Sequence, residues 1–298
     1  MLITVLTPSY NRSYILGRLY ESLKNQTSSN FEWMIIDDGS HDDTKKIVNR
    51  FKEENRIKIS YIFQKNGGKH RALNNGIKRI NSRLTFIVDS DDYLSNDAIE
   101  TIEFYDKKYS NRTDLCGFSF LRSYPDGKVN GPQYRQYEFE GNYIKDRINN
   151  HNGGDKAEVF YTEKLKEFPF FESEGENFLV ESYVWFQLGL LYNTIYINKA
   201  IYYGDYLKDG LTKNIYKVRY KNPLGMIETY KLMCNSNRLN LDIRCKIIIK
   251  YIAYNKIANK TFSEQLKDLN AKSKFIFFMC YIFGILFYLY IKYKIKKE

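Results

Sequence analysis

The sequence predicts an α/β fold in which a mostly parallel sheet is flanked by helices and followed by a helical C-terminal extension. Three observations predict it. Short apolar runs alternate with stretches of helical apolar spacing as far as Asp89; polar clusters follow the strand-like runs; and helical spacing dominates from Asn222 onward.

Leu2 to Leu6 forms the first strand, and Ser13 to Gln26 a helix with Ile15, Leu16, Leu19 and Leu23 at helical spacing. Phe31 to Ile36 is the second strand. Asp42 or Asp43 caps a helix running through Phe51, and Ile57 to Phe63 is the third strand. Lys69 to Ile80 reads as a helix and Leu84 to Val88 as the fourth strand. Strands separated by helices of this length form βαβ units with right-handed crossovers. Ligands of such sheets bind beyond the carboxyl ends of the strands. The clusters Thr7-Pro8-Ser9-Tyr10-Asn11-Arg12, Asp37-Asp38-Gly39-Ser40 and Asp89-Ser90-Asp91-Asp92 each follow a strand, so three loops converge on one edge.

Beyond residue 125 the pattern turns irregular. Gly127, Gly131, Pro132, Gly141, Gly153 and Gly154 punctuate a tyrosine-rich stretch of loops and short strands. Gly154 to Phe160 reads as a strand that returns charged residues toward the site. Helical spacing resumes at Phe178 with Leu179, Val184, Trp185 and Leu188. Asn222 to Asn259 reads as a helical hairpin with basic faces.

The strand-end clusters each offer a chemistry. Three carboxylates within four positions at a strand end raise one another's pKa or demand a cation, and oxygen ligands suit Mg²⁺ or Mn²⁺. Aspartates also start turns and cap helices, so the string alone does not decide. Tyr10 offers a ring for base stacking or for packing on its own sheet. The Asp37-Asp38 pair can accept from a base N–H or a ribose hydroxyl; a turn accounts for Asp37 and leaves Asp38 unexplained. Asn66-Gly67-Gly68-Lys69-His70 sets two glycines before a helix, which would turn backbone N–H groups and the Lys69 charge toward a diphosphate, unless it is an ordinary glycine turn.

The 298 residues, 43% hydrophobic, suffice for a large core. A formal charge of +11 implies an anionic partner without choosing among nucleic acid, an acidic membrane and a nucleotide-bearing substrate. Cys116, Cys234, Cys245 and Cys280 lack paired short spacing, which argues against a zinc knuckle or a disulfide framework and fits a reducing cytoplasm. Leu2 to Leu6 is too short and lacks the basic leader of a signal peptide. His41, His70 and His151 lack zinc-protease spacing. Neither a Walker A string nor the Rossmann dinucleotide glycine fingerprint occurs.

The ordered series Thr-Pro-Ser-Tyr-Asn-Arg, Ile-Ile-Asp-Asp-Gly-Ser-x-Asp-Asp-Thr, Asn-x-Gly-Lys-His-x-Ala-x-Asn-x-Gly and Val-Asp-Ser-Asp-Asp resembles the nucleotide-sugar-binding half of family-two inverting glycosyltransferases of the bacterial polysaccharide type. These have the GT-A fold, a Rossmann-like sheet. The resemblance spans roughly residues 1 to 125. It implies that Pro8, Tyr10, Arg12 and Asp38 sit at the nucleoside, Lys69 near the diphosphate, and Asp89 at the nucleotide sugar and the metal. Asp91 would complete the metal pair, and Asp92 is kept as a third candidate ligand.

The same resemblance assigns residues 126 to 215 to the acceptor. The family commonly has Glu-Asp, with a Trp four residues after the Asp and an Arg two further on; this chain has Val180-Glu181, Trp185 and Gln187. Glu181 and Trp185, four apart, share a helix face, which would hold the carboxylate against the ring and raise its pKa into general-base range. The alternative is that Glu181 is merely a solvated helix residue, and Glu174 and Glu176 are its nearest rivals as the base. Ile201 to Thr212 resembles the family's closing segment over the donor, and an ordinary surface turn is the alternative.

Residues 216 to 298 form the helical extension. Phe275 to Ile291 is uncharged and bracketed by Lys272, Lys274, Lys292 and Lys294. It stands at the short limit for crossing a hydrocarbon core of roughly 30 Å, so a span and an in-plane helix both remain open, with a buried core helix, which would need a deep groove, as the alternative to membrane attachment. The expectation is an enzyme of the hexosyl- or N-acetylhexosaminyltransferase class. A UDP-sugar donor, a lipid-linked or polysaccharide acceptor, Mn²⁺ or Mg²⁺ as cofactor and the cytoplasmic face of the cell membrane complete it. The alternatives are a metal-dependent nucleotidyltransferase and a non-catalytic basic module for membrane or nucleic acid. Nucleic acid is not expected, because the aspartate cluster repels phosphate unless a cation intervenes.

Overall fold

The computed structural model describes residues 1–205 and 214–297. Strands β1 (Ile3–Ser9), β2 (Phe31–Asp37), β3 (Ile59–Phe63) and β4 (Leu84–Ile87) alternate with helices α1 (Leu16–Lys24), α2 (Thr44–Glu53) and α3 (Lys69–Ile77). They pair in parallel in the order β3-β2-β1-β4. This is the βαβ series that the periodicity predicts.

Past β4 the sheet is mixed. It continues with β5 (Tyr93–Leu94), β6 (Leu115–Ser123), β7 (Glu138–Gly141), β8 (Lys156–Tyr161) and β9 (Asn193–Tyr203). The nine strands run β3-β2-β1-β4-β8-β6-β9-β5, with β7 also on β9. Strand β8 lies antiparallel between β4 and β6, and β6 and β9 are parallel. Inserting β8 beside β4 carries residues of the second half of the chain to the strand whose end holds the three aspartates.

Alternation along the strands fills two cores. Ile3 and Val5 of β1, with Trp33 and Ile35 of β2, pack toward α1, α2 and α4 (Ala98–Lys108). Leu6, Met34 and Ile36 point the other way, toward α3, α5 (Thr162–Lys166) and α6 (Ser182–Leu191). Every residue of β1 is buried, as expected for a strand covered on both faces. In the first core the Tyr20 and Phe51 rings stack at 4.0 Å beside Trp33, whose indole N–H donates to Thr7 Oγ1 at 2.9 Å. Burying a side chain of this size stabilises by roughly 1.5–3 kcal/mol.

A third core joins α7 (Ile215–Lys221), α8 (Pro223–Cys234), α9 (Leu241–Ile257), α10 (Phe262–Lys267) and α11 (Ala271–Lys297). Ile144 and Phe186 from the sheet-bearing part belong to it, so the helices are fastened to the sheet layer. Of the segment expected to close over a donor, Ile201–Tyr203 is the end of β9, and residues 206–212 lie outside the described residues.

Candidate active site

The carboxyl ends of β1 to β4 carry the predicted loops, and side chains stitch them together. Asn11 N–H donates to Ser40 Oγ at 2.8 Å, and His41 N–H to Asn11 Oδ1 at 2.9 Å. Asp37, at the end of β2, accepts from Ser40 N–H and the Tyr61 hydroxyl at 2.8 and 2.6 Å.

Asp38 is a clasp. Its Oδ1 accepts from Gln64 Nε2 at 2.7 Å and Gly67 N–H at 2.9 Å, and its Oδ2 from Gly68 N–H at 2.7 Å and Asn66 Nδ2 at 3.2 Å. A carboxylate offers about four lone-pair sites, so this one is filled by protein. The two glycine N–H groups expected to face a diphosphate are therefore spent on Asp38. Gly68 has φ +93°, and a Cβ there would overlap the Asn177 carbonyl, so only glycine lets the loop enter α3 this way. Pro8 lies within β1, Tyr10 is exposed, and Arg12 Nη1 donates to the Tyr14 hydroxyl at 2.9 Å.

The loop delivers Lys69, the first residue of α3, between two carboxylates. Its Nζ lies 2.6 Å from Asp89 Oδ1 and 2.7 Å from Glu181 Oε1. Burial opposes the ammonium charge, but Asp89 and Glu181 outweigh it and hold the Lys69 pKa above its ordinary value. His70, one residue on, is buried, and desolvation pushes its pKa down to about 4.

Asp89, Asp91 and Asp92 each bring an oxygen within 4.8 Å of the others, the one such acidic or sulfur-bearing group among the described residues. Burial, then the Asp89 charge, raises the Asp91 carboxyl against the pull of Arg12. Burial and Asp89 push Asp92 up to about 7, opposed by Arg122. Like charges held together in this way fit a divalent cation through oxygen ligands. The three do not share one environment. Asp92 is buried and accepts from Arg122 Nη2 at 3.1 and 3.2 Å, whereas Asp89 and Asp91 are partly open. The Tyr202 hydroxyl accepts the Asp89 N–H at 2.9 Å and hydrogen-bonds the Asp92 carboxylate. Arg18 Nη2 donates to the Asp91 carbonyl and lies over the Tyr93 ring.

Glu181 is the N-cap of α6, one residue before the helix proper, with its side chain 38% exposed. The expected carboxylate–indole pairing gives way to another arrangement. Trp185 turns into the core and stacks on Phe160 at 4.4 Å, with Phe170 across its edge, while the Glu181 carboxylate meets Lys69. Apolar neighbours take the ring and a cation takes the carboxylate, although one helical turn joins the two residues. The rivals separate cleanly: Glu176 is buried and accepts from Leu224 N–H and Gly225 N–H at 2.6 and 2.7 Å, capping α8, and Glu174 is exposed.

Behind Glu181 lies a polar group that local sequence does not assemble. Glu158 of β8 interacts with Arg147, on a π-helical turn Tyr143–Asn149, and with Glu181. Burial raises the Glu158 carboxyl against the pull of Arg147. Arg122 and Tyr202, which fix the aspartates, carry no strand-end signal; they reach the site because β6 and β9 lie side by side.

Known proteins match the sequence and the fold. The family described as Glycosyl transferase family 2 matches residues 4–165. The glycosyltransferase GlyA of Streptococcus pneumoniae serotype 4 is 27% identical over 234 residues, 78% of this chain and 32% of that protein, so the chain spans about a third of that relative. The Campylobacter jejuni GalNAc(5)-diNAcBac-PP-undecaprenol beta-1,3-glucosyltransferase is 26% identical over 253 residues, 80% of this chain and 76% of the relative. The structure of Staphylococcus aureus TarS 1-349 in complex with UDP-GlcNAc superimposes with a TM-score of 0.63 at 18% identity, covering 94% of this chain and 79% of that one. With the family match across more than half its length and the GT-A fold around its strand-end loops, the chain belongs to glycosyl transferase family 2.

Proposed function

We propose that this protein is an inverting glycosyltransferase that moves a sugar from a UDP-sugar to a hydroxyl of a lipid-linked or polysaccharide acceptor. The observation that carries the reading is Lys69, whose ammonium joins the aspartate cluster through Asp89 to Glu181 at 2.6 and 2.7 Å. A cation at the meeting point of a metal-type cluster and a partly exposed carboxylate suits a departing diphosphate on one side and an attacking hydroxyl on the other.

Residues 1–125 receive the donor in this reading, with Pro8, Tyr10 and Arg12 along the nucleoside and Asp38 holding the glycine loop against it. Residues 126–215 receive the acceptor, and 216–298 form the attachment region. Glu181 removes the acceptor O–H proton; the acceptor oxygen bonds to the anomeric carbon from the face opposite the leaving group. The bond from that carbon to the phosphate oxygen breaks, and its electron pair leaves with the nucleoside diphosphate. Asp89 and Asp91, with Asp92 beside them, would hold Mn²⁺ or Mg²⁺, whose charge stabilises the diphosphate when bound. Lys69 binds Glu181 in the structure described here, and a diphosphate competing for its ammonium frees the carboxylate to accept a proton.

The UDP-GlcNAc held by the S. aureus neighbour supports a uridine donor of the hexosyl or N-acetylhexosaminyl kind, and the undecaprenol-linked substrate in the C. jejuni relative's name supports a lipid-linked acceptor. Such donors are made in the cytoplasm, which supports the cytoplasmic face of the cell membrane as the working location.

The test is purified protein with Mn²⁺ and a panel of nucleotide sugars, reading released nucleoside diphosphate, since water slowly replaces an acceptor. Release of UDP from one or two UDP-sugars, with inverted sugar product, is expected. Incorporation of a nucleoside monophosphate without sugar turnover would assign the site to a nucleotidyltransferase instead.

A further inference from the structure

Helix α11 has two unlike apolar faces. Ile276, Phe277, Cys280, Gly284 and Ile291 are buried against the helical core. Gly284 lies so close to α9 that a Cβ would stand 2.5 Å from Ile252 Cβ. Contact runs along the helix: Ser273 Oγ donates to the Cys234 carbonyl at 2.7 Å near one end, and the Tyr290 ring meets Tyr216 of α7 at 6.2 Å near the other. The opposite face is open. Phe278, Met279, Ile282, Phe283, Leu286 and Leu289 are each 53–66% exposed and recur at three- and four-residue steps, so they form one continuous stripe.

An apolar stripe of this length on a free surface marks an interaction face. Its frame selects the occupant. Lys272 and Lys274 stand at one end, Lys292, Lys294, Lys296 and Lys297 at the other, and no Asp or Glu occurs between Ala271 and Lys297. A second copy of a chain with net charge +11 would bring these lysines toward its own. Lipid phosphates accept them, and Tyr290 and Tyr293 near the basic end have the amphipathic shape that suits a headgroup layer.

The packing also fixes the orientation. A helix crossing the bilayer would carry α9 with it, because the two are packed together. Helix α9 bears Asp242, Arg244, Lys246, Lys250 and Lys256, and charges at the bilayer centre are strongly disfavoured. Lying flat, α11 immerses the stripe and leaves α9 in water. We infer that α11 is an in-plane anchor that seats its exposed stripe in the interface of an anionic lipid bilayer, with α9 on its water side. The inference deepens the membrane part of the proposed function and needs nothing from the transfer chemistry.

The full-length protein is mixed with sealed vesicles of phosphatidylcholine, with or without phosphatidylglycerol, and sedimented. Binding is expected to be at least tenfold stronger with phosphatidylglycerol at low salt. The double variant Ile282→Glu with Phe283→Glu should lose at least tenfold of that binding while its thermal melt and UDP-sugar hydrolysis stay unchanged. Orientation is read with Lys272→Cys and Lys296→Cys, each treated with a membrane-impermeant maleimide added outside the vesicles, against the labelling of the parent chain. Both should label fully. Protection of one end shows a span and overturns the in-plane seat while the membrane assignment survives. Failure of the parent chain to bind any vesicle overturns both. Loss of self-association instead of vesicle binding in the glutamate pair would give the stripe to a second copy and overturn the inference. The labelling arm leaves the stripe intact, so it stands even if that pair unfolds the helix.

Discussion

Lys69 Nζ stands 2.7 Å from Glu181 Oε1, an ion pair between the first residue of α3 and the residue that caps α6. The same nitrogen holds Asp89 at 2.6 Å. One ammonium thus couples the aspartate cluster after β4 to the start of α6.

Lys69→Met removes that coupling. All three side chains are about a third exposed, so solvent screens the pairs and each contributes no more than about 1 kcal/mol to stability. The melting temperature should shift little, whereas kcat/KM for UDP-sugar turnover should fall at least 100-fold, the scale of losing a charge aimed at a departing oxyanion. Turnover within a few-fold of the parent would show that Lys69 is only a structural bridge.

Glu181→Gln keeps the hydrogen-bonding shape and removes the carboxylate proposed as the base. Transfer should drop by roughly 10²–10⁴ with donor KM nearly unchanged. Glu176→Gln should act differently. It weakens the charged cap on the α8 N–H groups and lowers stability by about 1 kcal/mol, with the chemistry intact. Glu174→Gln should do neither. A near-normal Glu181 variant beside a collapse in either of the others would move the base.

Asp91→Asn and Asp92→Asn should separate metal binding from scaffold. The first abolishes Mn²⁺-dependent turnover and leaves the melt near that of the parent chain, as a partly open ligand would. The second removes the carboxylate paired with the buried Arg122, which also holds Asp155 and lies over the Tyr202 ring, and stability should fall by on the order of 2 kcal/mol. Full activity of Asp91→Asn, or of the parent in chelator, removes the metal from the mechanism.

His70 supplies a pH dependence of stability. Burial lowers its pKa to about 4 from 6.5, so between these values the unfolded chain binds more protons than the folded one. Its contribution is therefore present above pH 6.5 and lost as pH falls toward about 4. Denaturant melts from pH 7 to 4.5 should show a decline that His70→Phe makes shallower. An equal decline in both would place the acid sensitivity elsewhere.

Local period and composition specify part of this protein before any long-range contact forms. The alternation of strand and helix from β1 to β4 is written in neighbouring residues, as are the polar loops at the strand ends and the three aspartates, which need no long-range contact to lie together. The apolar character of α11 is legible in the same way. Tertiary structure decided the partners. Asp38 became a clasp because the Gln64–Gly68 loop folds back onto it; Trp185 went to the core and Glu181 to Lys69 because their surroundings come from β8 and α3; and β8 entered antiparallel beside β4, giving the second half of the sheet its mixed order. Which face of α11 is covered also depended on α9, since a helix apolar on every side has no pattern that names its neighbour. Periodicity is set within a turn or a strand, whereas pairing across the fold is set by the packing of segments that the sequence keeps far apart.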